Sequence, residues 1–211
     1  MTKILLAEDD DSMRAFLAAA LRRAGHEVQD YADGETALAA LEREVFDLLL
    51  TDIVMPGLDG IELARRGAVL WLTDINADNL EQTAQQVRAL GARCTTRICN
   101  VGSSTEMKKL AKAVHQQHPA LDILINNAGI GVAGRFVDTS LKTWNKVLDV
   151  NVKGVMLGCH LFAPNMIEQG SGHIVNLASA AAFIAAKDMP VYSMSKSAVL
   201  GFSEALRADL H

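Results

Sequence analysis

The chain has 211 residues, half of them apolar, and a net charge of −5, so it is expected to fold as one large or two small globular domains. No run reaches the roughly 18 apolar residues of a membrane-spanning helix, and the chain turns acidic early, where a signal peptide stays apolar. We therefore expect a cytoplasmic protein with no membrane partner. Residues 1–66 contain 7 Lys and Arg against 14 Asp and Glu, whereas residues 67–211 contain 13 against 11. This asymmetry indicates a composite chain, and neither part has the basic stripe of a nucleic-acid-binding protein.

Short apolar runs alternate along the chain with amphipathic stretches of helical period, which is typical of βα units and a parallel sheet. Strands are predicted near residues 3–7, 26–31, 47–51, 69–73, 93–98, 121–126 and 173–178. Helices are predicted between them, including residues 12–23 and 77–90. The predicted fold class is therefore α/β, with a doubly wound parallel sheet. Cys94, Cys99 and Cys159 lack C-x-x-C spacing and are predicted to be buried thiols.

Three carboxylates are predicted to converge at one edge of this sheet. Glu8 and Asp9 follow the first predicted strand and Asp52 follows the third, and the carboxyl ends of neighbouring parallel strands meet. Such a cluster suits Mg²⁺, which would make Asp52 a workable nucleophile toward a phosphoryl donor. The alternative for the acidic run is that Asp9, Asp10 and Asp11 cap the helix that follows.

The first 66 residues contain two longer motifs that bear on this pocket, ILLAEDDDSMRAFL and DLLLTDIVMPGLDGIEL. Together they resemble the first three βα units of bacterial response-regulator receiver domains. The resemblance implies that Asp52 is the phosphoacceptor and that Glu8, Asp9 and Asp52 hold the metal. A receiver also needs a Ser or Thr after its fourth strand, for which Thr73 is the candidate, and a Lys-Pro pair after its fifth, which this sequence lacks.

A different constellation begins after residue 67. Tyr192 and Lys196 lie four residues apart in PVYSMSKSAVLGF, a segment of helical character, so they are expected on one helix face. An ammonium group beside a phenol favours the phenolate form. A tyrosine in that setting is suited to act as acid and base on a hydroxyl or a ketone near neutral pH.

Three further features accompany this pair. Ser179 follows a predicted strand, Asn151 lies within a predicted helix where Asn is a poor helix former, and NNAG (residues 126–129) ends the strand LDILI. Each has a structural alternative: Ser179 as a helix cap, Asn151 as a bend with an internal hydrogen bond, and NNAG as a plain turn.

Taken together in this order and spacing, these features of residues 67–211 resemble the short-chain dehydrogenase/reductase family. The resemblance implies that Tyr192 is the catalytic acid and base, that Lys196 assists it and binds the nicotinamide ribose, that Ser179 orients the substrate oxygen, and that Asn151 holds a relay water. The substrate would be a small alcohol or ketone. The resemblance places cofactor contacts at Asp74, Asn100, Val101, Asn127, Ala128, Gly129, Tyr192 and Lys196. The carboxylate of Asp74 would repel a 2′-phosphate, which favours NAD over NADP.

The sequence departs from that family where the dinucleotide's diphosphate is normally held. The family's glycine-rich loop (T-G-x-x-x-G-x-G) should precede AVLWLTD, but TDIVMPGLDGIELARR stands there, and Gly57 and Gly60 do not reproduce the glycine spacing. Asp52 would add negative charge where helix N–H groups should meet the diphosphate. The family's last strands also have no counterpart in residues 67–211. We therefore expect weak or no turnover. The alternatives are a phosphoacceptor module, or a non-functional engineered hybrid of two α/β folds.

The predicted join between the fragments 1–66 and 67–211 lies inside one helix, without a linker. It creates a conflict, because flavodoxin-like sheets run 2-1-3-4-5 and Rossmann sheets run 3-2-1-4-5-6. The strands at residues 3–7 and 121–126 compete for one place beside the strand at 47–51. Chain order favours residues 3–7, which would give a five-strand unit followed by a displaced C-terminal βα layer. Either outcome exposes apolar surface and predicts a homo-oligomer.

Overall fold

The protein is described by a computed structural model that covers residues 3–8, 11–41, 43–44, 46, 48–51, 68–184 and 187–210. It divides into two compact units, Met1–Leu70 with Gln82–Thr95 and Trp71–Glu81 with Thr96–His211. The predicted join near residues 64–67 lies outside the described residues, so the boundary at 66/67 stays a prediction.

The first unit contains a three-stranded parallel sheet. Its elements are β1 (Lys3–Ala7), α1 (Asp11–Arg23), β2 (Glu27–Tyr31), α2 (Gly34–Leu41) and β3 (Leu48–Thr51). The strand order is β2-β1-β3, with Ile4 opposite both Val28 and Leu48. The contested strand at residues 3–7 therefore lies beside the strand at 48–51, as chain order predicts.

The central strand β1 explains the core of this unit. Ile4, Leu5 and Leu6 are fully buried, and a parallel strand covered on both faces needs such a continuous apolar run. Leu5 packs with Ala37 of α2. Helix α1 packs on β1 and β2 and buries Leu17, Ala18 and Leu21.

The chain continues with further βα elements. They are β4 (Leu70–Asp74), α3 (Ala77–Ala89), β5 (Cys94–Ile98), α4 (Ser104–His115), β6 (Ile123–Asn126), α5 (Leu141–Leu148), α6 (Gly154–Gln169), β7 (His173–Asn176) and α7 (Pro190–Leu210). Strand β4 pairs with β5, and β6 pairs in parallel with β7. The strand bounds confirm the predicted order of βα units and the α/β class. The five-strand unit stays a prediction, because residues 52–67, which connect β3 to β4, lie outside the described residues.

An apolar cluster around α4 forms part of the core of the second unit. Helix α4 begins after Ser103, whose hydroxyl accepts a hydrogen bond from Glu106 N and so caps the helix. Its buried face packs against Phe162 of α6, with Trp71 of β4 and Leu124 of β6 at the edge of the cluster. These contacts fix the strands whose carboxyl ends carry the candidate site. None of the described helices combines the length and apolar character needed to cross a lipid bilayer.

All three cysteines are free thiols. Cys99 and Cys159 are buried, as predicted, and Cys94 is half-buried. Burial raises the pKa of the Cys99 and Cys159 thiols, because the thiolate loses its hydration. Both therefore act as small apolar side chains in the core.

Candidate active site

A π-helical turn, Asp149–Lys153, lies between α5 and α6 and contains Asn151. The Asn151 side chain is 1% exposed. Its Oδ1 accepts a hydrogen bond from Ile130 N at 2.8 Å, and its Nδ2 donates to Ile130 O and to Ser195 Oγ, each at 3.0 Å. These bonds explain why a poor helix former stands in a helical segment, and a π turn of this kind is often found at a functional site.

The Asn151 side chain connects three elements that surround Tyr192. Ile130 belongs to the loop that follows β6, and Ser195 belongs to α7. Ser195 Oγ in turn donates to the main-chain carbonyl oxygen of Tyr192 at 2.7 Å. Because the whole chain of bonds is buried or half-buried, it fixes the loop, the π turn and the first turns of α7 together. The sequence analysis did not predict a role for Ser195. Its only distinguishing feature in the sequence is that it is a small polar residue between Tyr192 and Lys196.

A second set of side chains ties the carboxyl ends of β6 and β7 to the helices. Asn126 and Asn176 are opposite each other in the parallel register, and Asn126 Nδ2 donates to Asn176 Oδ1 at 2.8 Å. Asn176 Nδ2 donates to Ser203 Oγ of α7 at 2.9 Å. Helix α6 approaches so closely that a methyl group on Gly158 would lie 2.2 Å from Asn126 Oδ1. The first Asn of NNAG is therefore a structural residue that holds the strand ends in place.

Lys196 lies one helical turn after Tyr192, and the expected proximity of the two side chains is found. Its Nζ is 5.9 Å from the centroid of the Tyr192 ring and donates to the main-chain oxygen of Leu177 at 2.7 Å. The residue is 5% exposed, and burial lowers the pKa of its amine. A methyl group on Gly129 would lie 3.3 Å from Nζ, so the NNAG loop runs directly past the amine.

Ser179 caps a short 3₁₀ turn, Ala180–Ala182, by accepting a hydrogen bond from Ala181 N at 3.1 Å. This is the structural alternative that the sequence allowed. The bond uses a lone pair on the hydroxyl oxygen and leaves its proton available to a carbonyl oxygen. Ser197 Oγ of α7 donates to Ala182 O at 3.0 Å, which holds the turn against the helix that carries Tyr192.

Three predicted cofactor contacts, Asp74, Asn100 and Val101, lie together at the ends of β4 and β5. Asp74 O accepts a hydrogen bond from Cys99 N at 3.0 Å, so Asp74 lies next to the segment that contains Asn100 and Val101. Asp74 is exposed, and its carboxylate accepts from Asn76 N at 2.7 Å. Asn100 Oδ1 accepts from Gly102 N at 3.0 Å.

Val101 faces α6, and a methyl group on Gly154 would lie 2.9 Å from its Cγ2. Its main-chain oxygen, 3.5 Å from the same methyl group, also lies against α6.

These residues fit the two ribose ends of a dinucleotide. Asn127, Ala128 and Gly129 are exposed beside Lys196, so a ligand can approach their backbone. The ammonium group of Lys196 and the carboxylate of Asp74 are a donor and an acceptor suited to ribose hydroxyls. Residues 52–67, where the family's diphosphate loop would be sought, lie outside the described residues.

The predicted acid pocket is described only in part. Asp9 and Asp52 lie outside the described residues. Glu8 continues the ladder between β1 and β2 through its backbone N–H, which donates to Tyr31 O at 3.1 Å, and Arg14 Nη1 donates to Glu8 O at 2.8 Å. The described residues contain no group of three or more His, Cys, Asp or Glu side chains that could hold a metal ion. The Mg²⁺ site and the phosphoacceptor role of Asp52 stay predictions.

The buried amine leads to a pH prediction for Lys196→Met. Burial lowers the folded-state pKa of Lys196 below the ordinary value of 10.5, so between these two pKa values the unfolded chain binds more protons. Stability from this residue therefore rises with pH across that interval. The free energies of unfolding of the wild type and of Lys196→Met are measured by urea titration at several pH values. We expect the wild-type value minus the variant value to increase as the pH is raised toward 10.5. A pH-independent difference between the wild type and Lys196→Met would contradict the prediction.

Comparisons with known proteins agree with both resemblances. The family model for short chain dehydrogenases matches residues 60–211, and the model for the response regulator receiver domain matches residues 4–93. Among curated relatives, the probable oxidoreductase EphD of Mycobacterium tuberculosis is 34% identical over 198 residues, which is 88% of this chain and 33% of that protein. The chain thus spans about a third of that relative.

Two solved structures have a similar fold. A short chain dehydrogenase/reductase from Burkholderia phymatum in complex with NAD is 34% identical, with a TM-score of 0.66 over 71% of this chain and 56% of that one. A metagenomic short-chain oxidoreductase in complex with NADP is 28% identical, with a TM-score of 0.67 over 72% of this chain and 70% of that one. Through residues 60–211 the chain belongs to the short-chain dehydrogenase family, and residues 4–93 match a response regulator receiver domain.

Proposed function

We propose that the chain is an oxidoreductase that transfers a hydride between the nicotinamide of NAD and an alcohol or ketone. The observation that supports it most is the buried Lys196, which lies against Gly129 on one side and the ring of Tyr192 on the other. When bound, the nicotinamide supplies the hydride for the carbonyl carbon, or takes it from the alcohol. The phenol of Tyr192 then gives the carbonyl oxygen its proton, so that the ketone becomes an alcohol.

The other residues of the site have separate tasks in this proposal. The Ser179 hydroxyl donates a hydrogen bond to the substrate oxygen, and Lys196 faces the nicotinamide ribose. Both amide hydrogens of Asn151 are used by Ile130 O and Ser195 Oγ. A relay water is therefore better placed on a main-chain carbonyl of the π turn, where the helical bonding pattern is broken.

Asp74 carries the proposed preference for NAD, and binding measurements test it. Calorimetry should show NADH binding about tenfold more tightly than NADPH, because a carboxylate repels the 2′-phosphate. Asp74→Ser should make the two affinities similar, while Asp78→Ala, at an exposed carboxylate on α3, should change neither. Equal binding by the wild type would contradict the preference for NAD. No binding of either dinucleotide, with no oxidation of NADH by any ketone, would overturn the proposed function.

We further propose that turnover is slow. The segment TDIVMPGLDGIELARR replaces the family's glycine-rich loop, and helix N–H groups at that loop normally hold the diphosphate. Large apolar side chains on α6 and α7, among them Met156, Ile167 and Met194, are exposed. Their exposure supports the proposal that the chain is a homo-oligomer, which light scattering can test.

A second candidate function is a phosphoacceptor module at Asp52. It is supported by the receiver match at residues 4–93 and by the parallel pairing of β1 with β3, in which Ala7 is opposite Thr51. Beryllofluoride with Mg²⁺ should raise the melting temperature of the wild type and leave Asp52→Asn unchanged. An identical response of both proteins would exclude this function.

A further inference from the structure

The loop that follows β6 lies against the segment that leads into α7. A methyl group placed on Gly131 would lie 3.3 Å from Met189 Cε and 3.9 and 4.0 Å from Cδ2 and Cε2 of Tyr192. Gly131 itself is exposed and Met189 is half-buried. The exposed backbone of Gly131 thus lies close to the methyl group of Met189 and to the ring edge of Tyr192. Tyr192 is the residue proposed to deliver the proton.

The position of Met189 is fixed from both sides. Gly134 N donates to Asp188 O at 2.7 Å, which joins the loop after β6 to the residue before Met189. Asp188 has a φ of 60°, a left-handed conformation that Asp tolerates better than most residues. On the other side, Met189 O accepts from Ser193 N at 2.9 Å, in the first turn of α7. The backbone of Met189 is therefore held on both sides, with its methyl group toward Gly131.

Gly131, the Met189 methyl group and the Tyr192 ring edge form a small surface, here called the wall, that carries no charge. The Met189 methyl group and the Tyr192 ring edge present carbon atoms, and Gly131 adds an uncharged backbone without a side chain. The charged residues that precede Met189, Lys187 and Asp188, are exposed. An apolar substituent would gain contacts with the carbon atoms of this wall, whereas a charged substituent would find no opposite charge on Gly131, Met189 or the ring edge.

We propose that Gly131 and Met189 determine the substrate class, and that the substituent next to the reacting carbonyl is apolar and uncharged. This inference rests on the proposed function, because it takes Tyr192 as the residue that meets the carbonyl oxygen. Methionine suits the task because its flexible thioether adapts to apolar groups of different shape. Aryl and alkyl ketones would bind, and keto acids and polyhydroxy ketones would be rejected.

Two ketones that share a phenyl ring, acetophenone and phenylglyoxylate, test the inference. The full chain is labelled with ¹³C at the methionine methyl groups, and Met189→Leu identifies the Met189 resonance. Acetophenone should shift this resonance in a saturable way, with an affinity about tenfold higher than that of phenylglyoxylate. The resonance of Met194, which is 53% exposed on α7, serves as the control and should not move.

A Met189 resonance that acetophenone leaves unmoved, or that both ligands move with equal affinity, would overturn the inference. Met189→Lys should reverse the preference and favour phenylglyoxylate. Oxidation of NADH measured in the same samples reports on the proposed function separately. No oxidation with either ketone counts against hydride transfer, whereas oxidation with an unaffected Met189 resonance counts against the assigned substrate class.

Discussion

Gly158→Ala is expected to lower the free energy of unfolding by about 3 kcal/mol, the upper end of the range for overpacking a core. The added methyl group would lie 2.2 Å from Asn126 Oδ1 and 3.0 Å from its Cγ. Either α6 must move away from β6 or the Asn126 side chain must leave its place. Both changes disturb buried contacts.

Asn126 cannot rotate away without loss, because its amide is shared by several partners. Its Nδ2 donates to Asn176 Oδ1 at 2.8 Å and lies 3.5 Å from Cys159 Sγ. Asn176 in turn is bonded to Ser203. Displacing Asn126 therefore breaks a half-buried hydrogen bond, at a cost of about 1 kcal/mol.

Gly201→Ala is the matched control, since Gly201 also lies within a helix and has nothing within 4 Å of an added methyl group. That variant should gain about 0.5–1 kcal/mol, because alanine is the better helix former. Urea unfolding followed by circular dichroism measures both variants. Adding Asn126→Ala to Gly158→Ala should recover part of the loss. Equal stability of the two glycine variants would show that the packing between α6 and β6 can accept a methyl group at position 158.

Much of the fold could be predicted because strands and helices leave a periodic apolar pattern. The run KILLA has three consecutive fully buried residues, Ile4–Leu6, and a parallel strand covered on both faces has such a run. Chain order also predicted correctly that β1 lies beside β3. Asn151 was identified through a conflict with helix propensity, and its three side-chain bonds in a π turn account for that conflict.

Other features of the site leave no pattern in the sequence. Ser195 and Asn176 matter because of what approaches them in space, and nothing in their local sequence indicates a partner 44 or 50 residues away. The contact between Gly131 and Met189 likewise depends on how two loops meet. For Ser179 the sequence predicted a role in orienting the substrate and also allowed a role as a helix cap. The structure shows the cap, and the substrate role stays a prediction.

Tyr192→Phe is expected to lower kcat by about 10²- to 10⁴-fold, the usual effect of removing a general acid and base. The change keeps the aromatic ring, which lies beside Gly131 and within reach of Lys196 Nζ. Among the described residues, the Tyr192 hydroxyl makes no hydrogen bond. Stability and NADH affinity should therefore stay near the wild-type values, so the loss would appear in kcat rather than in binding.

Tyr31 provides the control, because it is the only other tyrosine in the chain. Its hydroxyl donates to Gln29 Oε1 at 2.8 Å in the first unit, and Tyr31→Phe should leave turnover unchanged. Steady-state rates of NADH oxidation with acetophenone, measured beside calorimetric NADH binding, compare the two variants. If Tyr192→Phe retained the wild-type kcat, the proton would have to come from another group or from water. Lys196 and the Asn151 network would then be holding a helix in place rather than a catalytic phenol.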